Sequence, residues 1–150
     1  MATPIQIAAM MNTIAAGGIW QEPLFLECTL DETTGESLTA LAHRSARRVF
    51  SAQTARALRE LLASVVTEGT GHEAAPTEGT AAGKTGTAQT GQFAAGKELK
   101  NYWFAGFYPA RNPRYTIVVL QDGQTGPSRT SAAIFARCLL YTSPSPRDRQ

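Results

Sequence analysis

Apolar residues recur every three or four positions in three stretches of the chain, a spacing that predicts amphipathic helices. The stretches cover residues 4–17, 51–68 and about 128–139. Thr3 precedes the first stretch as a favourable N-cap, and Gln6, three positions later, completes the pattern of a capping box. The hydrophobic pattern therefore predicts one helix near each end of the chain and one in the middle.

A different pattern, rich in β-branched and aromatic residues, predicts two strands. Residues 102–108 are apolar on both alternating faces, which is typical of a strand covered on both sides. Residues 115–120 follow after Asn112-Pro113, a turn signal that predicts an antiparallel hairpin. The polar stretches 69–80 and 90–100 are predicted to be loops.

A short run of small residues, Gly83-Lys84-Thr85-Gly86-Thr87-Ala88-Gln89, precedes these two strands and is predicted to form a third strand beside them. A glycine inside a strand costs roughly 0.5–1 kcal/mol. Such a glycine often marks a point where another backbone approaches closely. We therefore expect an extended partner to lie against this strand.

The side chains of this run indicate the chemistry of that partner. Lys84 carries a positive charge, and Thr85 and Thr87 carry hydroxyl donors that alternate with it along the strand. This combination is suited to holding a carboxylate. A backbone N–H near Thr87 could also face a reacting carbonyl, and one such donor is worth about 2.7–4 kcal/mol in known oxyanion holes.

Two other interpretations of the run are a phosphate-binding loop and a strand without a site. Gly83-Lys84-Thr85 matches the end of a phosphate-binding loop, but only three residues separate Gly79 from Gly83 where four are needed. The residues that follow are also poor helix formers, so no helix N-terminus would face a phosphate. A glycine- and threonine-rich edge strand without any site remains the second alternative.

The segments between the first two helices give no clear pattern. Residues 19–30 are interpreted as an irregular extended pair, and residues 31–48 are polar with no assigned element. The whole order is then helix, loop, helix, three strands, helix. It predicts an α/β fold of the α+β type, with one antiparallel sheet and helices on its faces.

Composition excludes several classes of function. The 150 residues, 43% hydrophobic and 17% charged, suit one globular domain. The net charge of +2 and the dispersed arginines do not suggest a nucleic-acid partner. Cys28 and Cys138 lie far apart without metal-like spacing, and His72 is predicted to be an exposed loop residue, so no metal or cofactor is expected. No apolar run approaches the roughly 18 residues of a membrane span, and no signal-like segment opens the chain.

Four segments in a fixed order resemble the C-terminal half of the penicillin-binding protein transpeptidase domain, and more weakly its class B members. They are residues 2–8 (ATPIQIA), 65–71 (VVTEGTG), 82–88 (AGKTGTA) and 103–107 (WFAGF) followed by Pro109. The resemblance covers about residues 2–138. It implies a partial serine β-lactamase/transpeptidase-like fold, with residues 1–139 in the domain and 140–150 as a disordered or non-native tail.

The resemblance implies a serine acyltransferase that crosslinks peptidoglycan. Its substrate would be a stem peptide ending in D-Ala-D-Ala, β-lactams would trap its acyl-enzyme, and no cofactor would be needed. Lys84 and Thr87 would take catalytic roles, with the Thr87 N–H as half of the oxyanion hole. Substrate would bind at Thr85, Gly86, Thr87 and Ala88. The full-length parent would work with cell-wall synthesis partners at the extracytoplasmic face of the bacterial membrane.

The sequence departs from the family at its nucleophile. The family uses S-x-x-K, S-x-N and K-T-G motifs, and only the third is present. No serine is followed by lysine at the third position or asparagine at the second, among Ser37, Ser45, Ser51, Ser64, Ser128, Ser131, Ser143 and Ser145. The chain would then be a fragment that starts within the domain. A non-catalytic ligand-binding piece and a fragment of a β-lactamase-like hydrolase remain open alternatives.

We predict that this polypeptide alone is not acylated by β-lactams, because the serine that the family uses as nucleophile has no counterpart here. Incubation with a fluorescent penicillin, followed by denaturing electrophoresis, should leave the protein band unlabelled. A covalent adduct on the isolated chain would contradict the prediction.

Overall fold

The computed structural model describes residues 2–25, 28–40 and 45–142. Within these ranges the chain forms three α-helices, a short 3-10 turn and seven β-strands. In chain order they are α1 (Pro4–Ala15), β1 (Ile19–Gln21), β2 (Cys28–Leu30), β3 (Ser37–Ala40), β4 (Ala46–Arg48), α2 (Ala52–Thr67), the turn His72–Ala74, β5 (Ala82–Ala94), β6 (Lys97–Tyr108), β7 (Tyr115–Gln124) and α3 (Ser131–Thr142).

The predicted starts of α1 and α2 are confirmed by individual hydrogen bonds, whereas α3 begins at Ser131 and not at about residue 128. The Gln6 N–H donates to Thr3 Oγ1 at 3.4 Å, and the Thr3 N–H donates to Gln6 Oε1 at 2.9 Å, which completes the capping box. Ser51 caps α2 by accepting from the Thr54 N–H at 3.0 Å. Each cap satisfies backbone donors that the first helical turn leaves without partners.

The three predicted strands form one antiparallel sheet in the order β5-β6-β7. Its central strand, β6, pairs Ala105 with Lys84 of β5 and Phe104 with Val119 of β7. The predicted α+β architecture, an antiparallel sheet with helices on its faces, is therefore confirmed.

Both faces of β6 are covered by helices at residues 104–107, within the segment whose continuous apolar pattern predicted it. On one face Phe104 is fully buried against the apolar side of α3, formed by Ala132, Phe135 and Leu139. On the other face Ala105 and Phe107 belong to a cluster with Met11 and Ile14 of α1. Partly buried residues of α2, Leu58, Leu62 and Ala63, pack against this cluster. The core thus holds β6 firmly, and β5 is positioned by its pairing with β6.

Residues 90–100 are not the loop that the sequence predicted. β5 continues to Ala94 and β6 begins at Lys97, so the two strands form one long hairpin with Ala95 and Gly96 at its turn. Both turn residues have positive φ, 49° and 76°, as the tightest hairpin turns require. The polar side chains of this hairpin face solvent on both sides, which explains why no hydrophobic alternation marks it.

The interpretation of residues 19–30 as one extended pair is also wrong. β1 pairs with β4, and β2 pairs with β3, so each strand finds its partner in the polar stretch 31–48. Asp31 closes the β2–β3 turn by accepting from the N–H groups of Thr34 and Thr33, which lowers the pKa of its carboxyl. α3 extends to Thr142, and the rest of the predicted tail, residues 143–150, lies outside the described residues.

The aromatic contact between α3 and the sheet provides a test of this core. Phe135 is 0% exposed, and its ring centroid lies 4.8 Å from that of Phe104. Phe135→Ala should lower the free energy of unfolding by about 3–5 kcal/mol, because it removes buried area and leaves a cavity. Urea unfolding followed by circular dichroism measures the change.

The matched control is Phe93→Ala, since Phe93 is 69% exposed. This control should change stability by less than about 0.5 kcal/mol. Equal losses in the two variants would show that α3 does not pack on the sheet as described.

Candidate functional site

The strand that carries the predicted site lies at the edge of the sheet. Within residues 2–25, 28–40 and 45–142, β5 has one paired neighbour, β6, and its other edge is open. An open strand edge presents a row of N–H and C=O groups that can pair with another extended chain. The site residues therefore lie on a surface able to accept a peptide.

Hydrogen-bond alternation decides which residues of β5 face the open edge. The Ala110 N–H donates to the Thr80 carbonyl at 2.7 Å. The Ala82 carbonyl oxygen also points at β6, because it lies 2.6 Å from where a Cβ on Gly106 would be. Even-numbered residues thus bond across to β6, and in an antiparallel ladder the alternate residues point the other way. The N–H and C=O groups of Thr85 and Thr87 therefore face the open edge.

The Lys84 side chain folds over this open edge. Its Nζ donates to the Thr85 carbonyl oxygen at 3.1 Å and to Thr85 Oγ1 at 3.2 Å. Lys84 and Thr87 are exposed, and Thr85 is half-buried. The Lys84 ammonium and the Thr85 hydroxyl therefore meet at this edge, although the two side chains leave the strand on opposite faces. Thr87, two residues after Thr85, lies on the same face of the strand as Thr85.

A cavity of about 900 Å³ adjoins this edge on the face occupied by α1. β5 contributes Lys84, Gly86 and Ala88 to its wall, β6 contributes Trp103, and α1 contributes Ile7. The wall also includes Thr85 and the polar or acidic side chains of Gln89, Thr90, Gln92, Asn101 and Asp122. The cavity therefore combines apolar, small and polar groups beside the Lys84 ammonium, and its volume is within the range of ligand-binding sites.

Two glycines of β5 have different reasons to be glycine. A Cβ on Gly83 would lie 2.6 Å from the Phe104 ring and 2.8 Å from the Ala105 carbonyl oxygen, so internal packing forbids any side chain. A Cβ on Gly86 would have only the Trp103 Cβ nearby, at 3.5 Å, which is an ordinary contact. Internal packing therefore does not require Gly86, and its missing side chain leaves the surface beside the cavity bare.

The structure brings all five predicted site residues together on one strand, from Lys84 opposite Ala105 to Ala88 opposite Asn101. It also adds a residue that sequence reasoning assigned no role. Thr70, in the loop after α2, places its Oγ1 3.1 Å from Thr85 Oγ1. In the sequence, the only feature that could have pointed to Thr70 was its place between Gly69 and Gly71. Their close packing against α2 cannot be predicted from the sequence. His72 is exposed, as predicted.

No helix in the described part of the chain has the length and apolar character to cross a lipid bilayer.

Comparison with known proteins identifies the family of the chain. The model of the penicillin-binding protein transpeptidase domain matches residues 1–140. Penicillin-binding protein PbpB of Mycolicibacterium smegmatis is 38% identical over 130 residues, covering 80% of this chain and 20% of that protein. Stage V sporulation protein D of Bacillus subtilis is 34% identical over 127 residues, covering 83% and 19%. The chain thus spans about a fifth of the length of these curated relatives.

Solved structures show the same likeness. The crystal structure of penicillin-binding protein 3 from Mycobacterium tuberculosis, complexed with aztreonam, matches with a TM-score of 0.78 and 31% identity over 93% of this chain and 34% of that one. The imipenem acyl-enzyme complex of penicillin-binding protein A from the same organism matches with a TM-score of 0.72 and 28% identity, over 93% and 30%. The family model, these relatives and these structures agree with the resemblance stated from the sequence: the chain belongs to the penicillin-binding protein transpeptidase family.

Proposed function

We propose that this chain forms the substrate-binding part of a peptidoglycan D,D-transpeptidase of class B, completed by a nucleophile that lies outside its sequence. The observation that carries the proposal is the open edge of β5, where the Lys84 ammonium contacts Thr85 beside Gly86, at which no side chain covers the surface. The backbone N–H of Thr87 faces the same edge. A stem peptide ending in D-Ala-D-Ala would lie extended along this edge and add to the sheet. Its terminal carboxylate would bind the Lys84 ammonium and the two threonine hydroxyls.

The reaction then follows from this placement. A serine oxygen attacks the carbonyl carbon between the two D-alanines, and the Thr87 N–H stabilises the oxyanion that forms. The C–N bond breaks, the terminal D-alanine leaves as an amine that takes up a proton, and the serine holds an acyl ester. The amine of a neighbouring stem peptide attacks this ester, which forms the crosslink and frees the serine. A β-lactam meets the same attack, but its ring opens without release of a leaving group, so the ester persists.

The relatives support this substrate class. A relative from Neisseria meningitidis, 39% identical over 83 residues, is named a probable peptidoglycan D,D-transpeptidase. A structural neighbour holds aztreonam, a β-lactam. Because the chain spans only a fifth of its curated relatives, the missing nucleophile would come from the rest of a longer parent. That parent would act with cell-wall synthesis partners at the extracytoplasmic face of the membrane.

A non-catalytic ligand-binding role is the second candidate, favoured by the absence of S-x-x-K and S-x-N from the sequence. The reading frame upstream of codon 1 in the source DNA distinguishes the two. S-x-x-K followed by S-x-N in that frame supports the transpeptidase, and a frame that lacks both supports the binding role.

The carboxylate site can be tested on the chain as it stands. N-acetyl-D-Ala-D-Ala should shift the amide resonances of Thr85 and Thr87 in a nuclear magnetic resonance titration, and the same peptide with a C-terminal carboxamide should bind more weakly. Lys84→Ala should raise the Kd of the carboxylate peptide roughly tenfold, because one charge-assisted hydrogen bond is lost.

Lys97→Ala is the matched control, since Lys97 is an exposed lysine near the far end of the same hairpin. It should leave the Kd unchanged. Equal binding of the carboxylate and carboxamide peptides by the unmodified chain would refute the proposed site.

Gly86→Ala tests whether a backbone approaches the strand there. Because a Cβ at this position meets only an ordinary contact, we expect the free energy of unfolding to change by less than about 1 kcal/mol. The added methyl should nevertheless raise the Kd of N-acetyl-D-Ala-D-Ala by about tenfold or more, since it occupies the space of the ligand. Gly83→Ala is the contrast, and it should destabilise the fold by about 1–3 kcal/mol. Unchanged affinity in a folded Gly86→Ala chain would mean that the ligand lies elsewhere.

A further inference from the structure

The Thr70 hydroxyl contacts the proposed carboxylate site from a different part of the chain. Its Oγ1 lies 3.1 Å from Thr85 Oγ1, and the Thr85 oxygen also accepts a hydrogen bond from Lys84 Nζ at 3.2 Å. The three side chains therefore form a short chain of polar groups that runs from the loop after α2 to the open edge of β5.

The backbone around Thr70 is held tightly against α2. The Gly71 N–H donates to the Val65 carbonyl at 2.9 Å. A Cβ on Gly69 would lie 3.0 Å from the Val65 Cα, and a Cβ on Gly71 would lie 3.3 Å from the Phe104 ring. Glycine on each side thus lets the loop pack closely on the last turn of the helix. Thr70 is fixed in place although its side chain is exposed.

A second anchor ties this loop to α3. Thr130 Oγ1 donates to the Glu73 carboxylate, and the same oxygen accepts from the Ala133 N–H at 3.1 Å at the start of α3. Ala74, next to Glu73, is fully buried in the core. The loop is therefore held at both of its ends, and the backbone position of Thr70 does not depend on its own side-chain contacts.

Counting donors and acceptors shows which arrangements of the hydroxyl protons are possible. A threonine hydroxyl has one proton to donate and two lone pairs to accept with, whereas a lysine ammonium can only donate. Thr85 Oγ1 accepts from Lys84, which leaves one lone pair and one proton. If Thr70 donates to that lone pair, the Thr85 proton is free to point outward. A carboxylate at the open edge favours this arrangement, because hydrogen bonds to a charged acceptor are the stronger ones and hydroxyl chains reinforce each other.

We propose that Thr70 is a positioning residue that donates to Thr85 and so directs the Thr85 hydroxyl proton at the terminal carboxylate of the bound peptide. The inference rests on the proposed function, because it names a further residue of the same site. Thr70 acts through Thr85 and makes no contact with the ligand itself.

Thr70→Val removes the hydroxyl while keeping the shape of the side chain, and Thr70→Ser keeps the hydroxyl. In the titration described above, Thr70→Val should raise the Kd of N-acetyl-D-Ala-D-Ala about threefold to tenfold. It should leave the Kd of the carboxamide peptide unchanged, and Thr70→Ser should bind like the unmodified chain. In the ligand-free protein, three-bond couplings of the Thr85 methyl should show one χ1 rotamer in the unmodified chain and averaging in Thr70→Val.

The outcomes separate the two proposals. If the unmodified chain prefers the carboxylate peptide and Thr70→Val binds it equally well, the role of Thr70 is refuted and the carboxylate site stands. An equal loss for both peptides in Thr70→Val, or a Thr70→Ser variant as weak as Thr70→Val, also refutes the role, because either result indicates a structural effect. If the unmodified chain does not prefer the carboxylate peptide, the proposed function fails and the role of Thr70 fails with it.

Discussion

The pairing of β5 with β6 is the constraint on which the rest of this molecule depends. Along β5 the even-numbered residues use their backbone hydrogen bonds on β6, so the odd-numbered residues offer theirs to the open edge. β6 is in turn fixed between two helical layers, with Phe104 against α3 and Phe107 against α1 and α2. The core therefore sets the position of every group at the candidate site without contributing a side chain to its chemistry.

The difference between the buried core and the exposed edge of the sheet explains where glycines lie on β5 and β6. Gly83 and Gly106 serve the internal packing, since a Cβ on either would lie less than 3 Å from backbone or ring atoms of the neighbouring strand. Gly86, three residues along, has no such reason. A strand built in this way is tightly fitted at its buried end and bare at its exposed end. The strand passes from closely packed to open between Gly83 and Gly86, and Lys84 and Thr85 lie between these two glycines.

Local signals made much of the fold predictable. The capping box at Thr3 and the cap at Ser51 depend on a few neighbouring residues, and the apolar face of α3 repeats with the period of a helix. The sequence also predicted that Lys84 lies on a strand beside the aromatic segment 102–108, because the residues of each segment are typical of the strands they form. The long hairpin was missed because its strands lie in solvent and carry no alternation, and because its turn at Ala95 and Gly96 lacks the usual Asn-Gly. The contact of Thr70 with Thr85 was missed because it depends on how two distant segments pack.

The open edge of β5 also bears on whether two molecules of this protein can associate. A row of backbone groups that can receive one extended peptide can receive the strand of another molecule equally well, and that is how edge-to-edge aggregation begins. Natural sheets discourage such pairing with a lysine on the exposed strand, because two copies in register bring like charges together. Lys84 stands at that position. The charge that would attract an acidic peptide end is therefore also a charge that would disfavour pairing between two copies of this sheet.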